Sequence, residues 1–208
     1  MDYSKIKETE LFLFDMDGTL YLGDDVYPGA IELMEDLPAL GKKYIYLTNN
    51  SSRAGADYIT RLRELGFPCE AENVFTSGMA TAMYIKQNYP DASVYLAGTK
   101  AFHRELTSYG IKLVNDDLGR TDADTVDIVV QGFDTELVYE KLDKAVFALH
   151  RFAAGVHKHK TTGAVSVFHV AGIEAALTKE GTLLIACSTG DDYLASVKRS
   201  ISLSVDMA

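Results

Sequence analysis

The chain has 208 residues, 47% of them hydrophobic and 24% charged, enough to bury a core as one large domain or two small ones. Its formal net charge of −10 argues against DNA, RNA or an acidic membrane surface as a partner. A small phosphorylated ligand stays open, because a local site can be electropositive within an acidic protein.

The first ten residues, "MDYSKIKETE", hold no apolar signal-like region, and no apolar run approaches the roughly 18 residues of a spanning helix. Cys69 and Cys187 lie far apart without metal-like spacing and read as free thiols of a reducing cytosol. The expectation is a soluble, cytoplasmic protein. Along the chain, "LFLF" (residues 11–14) predicts a strand ending at Asp15, and "KYIYL" (43–47) one ending before Thr48. "RAGADYITRLRELG" (53–66) predicts a helix with Tyr58, Ile59, Leu62 and Leu65 on one face and Gly66 as its stop. "TSGMATAMYIKQNYP" (76–90) predicts another, opened by Thr76 or Ser77 and ended before Pro90. Strands follow at "SVYLAG" (93–98) and "VDIVVQG" (126–132), then a helix over 134–150 capped by Asp134 or Thr135, then a strand at "TLLIAC" (182–187). Strands alternating with helices imply a mainly parallel sheet with helices on its faces.

Such sheets bind ligands outside the carboxyl ends of their strands. Asp15, Asp17, Thr48 and Asn49 therefore share one rim if their strands are neighbours. In "FDMDGT" two carboxylates stand one residue apart, and Gly18 lets the backbone turn. A strand followed by a solvated acidic turn is the plain alternative. Two close carboxylates repel unless a cation or a shared proton relieves them. Mg²⁺ suits such a site, taking one or two carboxylates and keeping several waters. Beside it an aspartate can attack phosphorus, while a second protonates the leaving oxygen and later activates water. "YLTNNSSR" (46–53) adds the Thr48 hydroxyl and the Asn49 and Asn50 donors near a helix start; alone it would read as an N-cap cluster.

"DMDGTLY" and "TNNSSR" resemble motifs I and II of the haloacid dehalogenase superfamily, in the subgroup of NagD-like and 4-nitrophenylphosphatase-like phosphatases with a C2-type cap. The similarity continues through "YPGA", "RLRELGF", "VFTSGMATAMYI", "VYLAGTKAFHRELTSYGI" and "DIVVQGFDTELVYEKLDKAVFAL", about the first 150 residues. The resemblance implies an α/β fold: a Rossmann-like, doubly wound parallel core with an inserted α/β cap. It implies a core of residues 1–81 and 171–208 and a cap of 82–170. It also implies a Mg²⁺-dependent phosphomonoesterase acting on small phosphorylated substrates such as sugar phosphates, nucleotides or p-nitrophenyl phosphate. Asp15 would be the nucleophile and Asp17 the acid/base. The Asp15 carboxylate and the Asp17 carbonyl would hold the metal, and Thr48, Asn49 and Asn50 would contact the phosphoryl group. No nucleic acid or membrane partner is expected, and a homo-oligomer is compatible with the pattern.

After His150 the chain departs from the family. No "GKP" motif is present, and Lys179 in "LTKEG" is the substrate-binding lysine candidate against a plain helix-end lysine. "AGIEAAL" (171–177) resembles the return helix. "LLIACSTGDD" resembles a strand feeding an acidic turn, with Asp191 as candidate third metal ligand against a plain turn. Where the family carries its next acid, this chain has Ala195 or Ser196. The alternative function is therefore a catalytically impaired homologue that binds phosphate or serves a non-enzymatic role.

Overall fold

The computed structural model describes residues 4–115, 125–153, 167–170, 173–177 and 183–187. The chain divides into two compact units. One comprises Met1–Thr48 and Gly55–Thr76; the other, Asn49–Ala54 and Ser77–Ala208.

The first unit opens with α1 (Ser4–Glu8) and β1 (Leu11–Asp15), then a short hairpin of β2 (Tyr21–Leu22) and β3 (Asp25–Val26). α2 (Ala30–Ala39), β4 (Lys43–Thr48), α3 (Gly55–Glu64), a 3₁₀ turn at Ala71–Asn73 and β5 (Val74–Thr76) complete it. Its sheet has the order β1-β4-β5, parallel throughout. The two apolar runs become neighbours, with Leu11 opposite Lys43 and Asp15 opposite Leu47. Thr48 lies opposite Thr76 on β5. Met16, Met34, Tyr46, Tyr58, Leu62 and Phe67 form its core. Tyr58 and Leu62 come from the expected face of α3, four residues apart and so one turn above each other. Truncating the fully buried Leu62 to alanine would cost about 2–5 kcal/mol. Tyr44 and Tyr46 keep their hydroxyls satisfied by donating to the Pro68 carbonyl, at 3.0 and 2.8 Å. Gly66 terminates α3 with a left-handed φ of 91°, and the Phe67 amide bonds back to the Leu62 carbonyl, as a helix C-terminal glycine should.

The second unit contains α4 (Ser77–Asn88), β6 (Ser93–Ala97), α5 (Lys100–Ser108), β7 (Lys112–Leu113), β8 (Ile128–Gln131) and α6 (Tyr139–Ala153). β9 (Val167–Val170), β10 (Ile173–Leu177) and β11 (Leu183–Cys187) follow. They build one six-stranded sheet in the order β7-β6-β8-β11-β10-β9. The first four strands are parallel; β10 runs antiparallel to β11, and β9 antiparallel to β10. β6 is buried along its whole length, and Tyr95, Val129, Ala145 and Ala148 pack in the core beside it. Among the described residues no helix is long and apolar enough to cross a membrane.

Two local expectations change. The helix expected from Asp134 begins at Tyr139. The Asp134 carboxylate instead accepts the Glu136 amide at 2.8 Å and the Lys141 ammonium at 2.8 Å. That pair holds residues 134–138 in a turn and delays the helix. The "IEAAL" segment, read as helical, is strand β10. It pairs antiparallel with both β9 and β11, and alternating Ile173, Ala175 and Leu177 with Glu174 and Ala176 suits a two-residue period as well as a helical one.

Candidate active site

Asp15 is the last residue of β1 and half-buried. The chain then dips inward at Met16, which is fully buried, and emerges with Asp17, Gly18 and Thr19 exposed. The Met16 carbonyl accepts the amides of Thr19 at 3.1 Å and Leu20 at 3.0 Å, closing a tight turn. Gly18 makes the turn possible with a φ of 82°, a region that L-residues with a Cβ enter only at a cost. Its amide bonds to the Tyr21 carbonyl at 2.7 Å, and Asp17 bridges to Tyr21. Both carboxylates therefore sit on a braced turn at a strand's end.

Burial pushes the Asp15 carboxyl above its ordinary range. The Thr19 hydroxyl, donating to Oδ2 at 3.1 Å, and the Met16 amide oppose that shift; the charge of Asp17 adds to it. Thr19 is a site residue that the motif spacing alone does not single out. Its signal was its place four residues after Asp15, where a turn brings its hydroxyl back to the carboxylate.

Thr48 ends β4 and is buried. Since Asp15 faces Leu47, Thr48 lies one residue beyond that pairing, and the carboxyl ends of β1, β4 and β5 make one rim. Asn49 and Asn50 follow in the loop 49–54, which belongs with the second unit. There the Asn50 side-chain oxygen accepts the Ser52 amide at 2.9 Å. The Asn49 carbonyl accepts the Ser77 hydroxyl at 3.0 Å, and the Ser52 carbonyl accepts that of Thr99 at 2.8 Å. Lys179 and Asp191 lie outside the described residues.

On the described turn the side chains that offer metal-ligand atoms do so through oxygen: the Asp15 and Asp17 carboxylates and the Thr19 hydroxyl. That chemistry fits a hard divalent cation such as Mg²⁺, which is commonly bound through one or two carboxylates with its remaining positions filled by water and phosphate. Among the described residues no group of three His, Cys, Asp or Glu side chains assembles into an all-protein metal cage.

Residues 12–112 match the model of the haloacid dehalogenase-like hydrolase family. An acid sugar phosphatase of Staphylococcus aureus is 36% identical over 148 residues, covering 71% of this chain and 54% of that protein. The crystal structure of a 4-nitrophenylphosphatase from Thermotoga maritima superposes with a TM-score of 0.64 at 36% identity, over 70% of this chain and 53% of that one. A glycerol phosphate phosphatase from Mycobacterium tuberculosis, solved in complex with magnesium, gives a TM-score of 0.60 at 30% identity, over 70% and 42%. The chain spans about half the length of the curated relatives it matches.

Proposed function

Because this chain belongs, through residues 12–112, to the haloacid dehalogenase-like hydrolases, we propose that it is a Mg²⁺-dependent phosphomonoesterase working through an aspartyl-phosphate. The observation that carries this reading is the β1–β4 register, with Asp15 opposite Leu47 and Thr48 one residue on. Its substrates are small phosphate esters, the class named for the relatives: sugar phosphate, p-nitrophenyl phosphate and glycerol phosphate.

In this mechanism an Asp15 carboxylate oxygen attacks phosphorus as the ester P–O bond breaks. Asp17 gives a proton to the departing oxygen. It then takes a proton from water, which attacks phosphorus and releases phosphate and free Asp15. Thr19, donating to Asp15 Oδ2, orients the carboxylate for attack. Thr48, Asn49 and Asn50 donate to the phosphoryl oxygens. The Asp15 carboxylate and the Asp17 carbonyl, with Asp191 as candidate third ligand, would hold Mg²⁺, which would supply positive charge against the phosphoryl dianion. Lys179 is the candidate cation on the phosphate. In this reading the core comprises residues 1–81 and 171–208 and the cap 82–170; β6 lies in a sheet separate from the one carrying Asp15, as a cap strand would, whereas β10 and β11, within 171–208, pair in the same sheet as β6.

A second reading, an impaired homologue that binds phosphate without turnover, is favoured by the sequence after His150. Between His150 and Ala208 no "GKP" lysine occurs, and Ala195 or Ser196 stands where the resemblance puts an acid. Losing one preorganised charge-stabilising group costs on the order of 10²–10³-fold. The test is p-nitrophenyl phosphate hydrolysis with and without Mg²⁺, beside Asp15→Asn and Asp17→Asn. Metal-dependent turnover abolished by Asp15→Asn, and reduced about 10²–10⁴-fold by Asp17→Asn, supports the enzyme. Phosphate binding without turnover supports the second reading.

A further inference from the structure

Three hydrogen bonds tie loop 49–54 to residues far along the chain. The Asn49 carbonyl bonds to Ser77, 28 residues on, and the Ser52 carbonyl to Thr99, 47 residues on. The Ser51 hydroxyl oxygen accepts the Phe133 amide at 2.8 Å, 82 residues on. The three hydroxyl residues are almost wholly enclosed: Ser51 is 0% exposed, Ser77 1% and Thr99 2%. Buried hydroxyls at fixed geometry impose position, because leaving any partner unpaired costs its full desolvation.

Thr99 is the most constrained. Its oxygen accepts the Phe102 amide at 3.1 Å as the N-cap of α5, while its proton goes to the Ser52 carbonyl. One hydroxyl thus fixes a helix start and the loop against each other. Gly132 permits the approach on the other side. A Cβ there would meet Phe102 Cδ1 at 2.7 Å and the Ser51 hydroxyl oxygen at 3.2 Å. The glycine is therefore required by space, next to the Phe133 amide that Ser51 receives.

We infer that Ser51, Ser77 and Thr99 are positioning residues that set the Asn49–Asn50 backbone for phosphate, so that affinity for the phosphoryl group is controlled from α4, α5 and the end of β8. Thr48 takes its place from the β4 ladder, whereas its two successors take theirs from these hydroxyls. The inference rests on the proposed function for its ligand and on geometry alone for the loop.

The experiment compares the full chain with Ser77→Ala, Thr99→Val and the conservative Thr99→Ser. It reads amide hydrogen exchange at residues 49–54, titration with inorganic phosphate, and the split between KM and kcat for p-nitrophenyl phosphate. Loss of one such bond should speed loop exchange about five-fold and weaken phosphate binding comparably. KM should rise more than kcat falls, Thr99→Ser should restore both, and the melting transition should stay cooperative. Unchanged exchange at 49–54 in Ser77→Ala and Thr99→Val overturns the inference and leaves the proposed function standing. Faster exchange with undiminished phosphate affinity also overturns it. A parent chain that neither binds phosphate nor cleaves the ester overturns the proposed function and, with it, the phosphate role of the loop.

Discussion

The Thr19 hydroxyl donates to Asp15 Oδ2 over 3.1 Å, from the far side of the turn that carries Asp17. A hydrogen bond to the charged form favours it against burial, and it also ties the orientation of the carboxylate to the turn. Thr19→Val keeps the side chain's shape and removes the donor. Steady-state kinetics should show kcat reduced about ten-fold, since a bond to a charged group is worth about 1.5 kcal/mol at the weak end. No change would mean the contact does not orient Asp15.

Gly18 stands at φ 82° with nothing within 4 Å of where a Cβ would be. Gly18→Ala therefore meets backbone strain and no clash. Urea unfolding should report a loss of about 1–2 kcal/mol. An unchanged midpoint would show that the turn relaxes freely.

Arg61, on α3, reaches across to the β2–β3 hairpin, donating to the Gly23 carbonyl at 2.6 Å and to the Asp24 carboxylate. Asp24 is 89% exposed, so the ion pair alone is worth about 0–1 kcal/mol, and the carbonyl contact is the firmer tie. Hydrogen exchange at residues 21–26 should rise in Arg61→Ala and stay near the parent's in Asp24→Asn. Equal effects from both would place the anchoring in the charge.

Burial pushes the Cys69 thiol up to about 11, with Arg63 opposing and Glu70 adding. A raised folded pKa favours the protonated form: its contribution to stability is present below the unfolded thiol's pKa and lost as pH rises through about 11. Iodoacetamide at pH 8, followed by peptide mass spectrometry, should leave Cys69 largely unmodified until urea is added. Rapid native-state alkylation there would contradict its burial.

Much of the fold was legible because apolar runs with glycine or proline stops state their element directly. The strands ending at Asp15 and Thr48, and the stop at Gly66, are cases where a local rule and tertiary packing agree. Long-range contacts decided the rest. Asp134 looked like a helix cap, but its carboxylate is claimed by Lys141, seven residues on. "IEAAL" carries a pattern that either period accepts, and only its pairing with β9 and β11 resolves it. At the candidate site the two aspartates were readable from their spacing, while Ser51's partner lies 82 residues away and no local pattern reveals it.

The proposed mechanism requires that Asp15 become covalently phosphorylated. Mixing the chain with p-nitrophenyl phosphate and Mg²⁺, quenching with borohydride, and mapping peptides by mass spectrometry tests it directly. Borohydride reduces an acyl phosphate to the alcohol, so the account predicts reduction at residue 15 that requires both substrate and metal and disappears in Asp15→Asn. Ester hydrolysis without that reduction, or with it at another residue, would contradict the account.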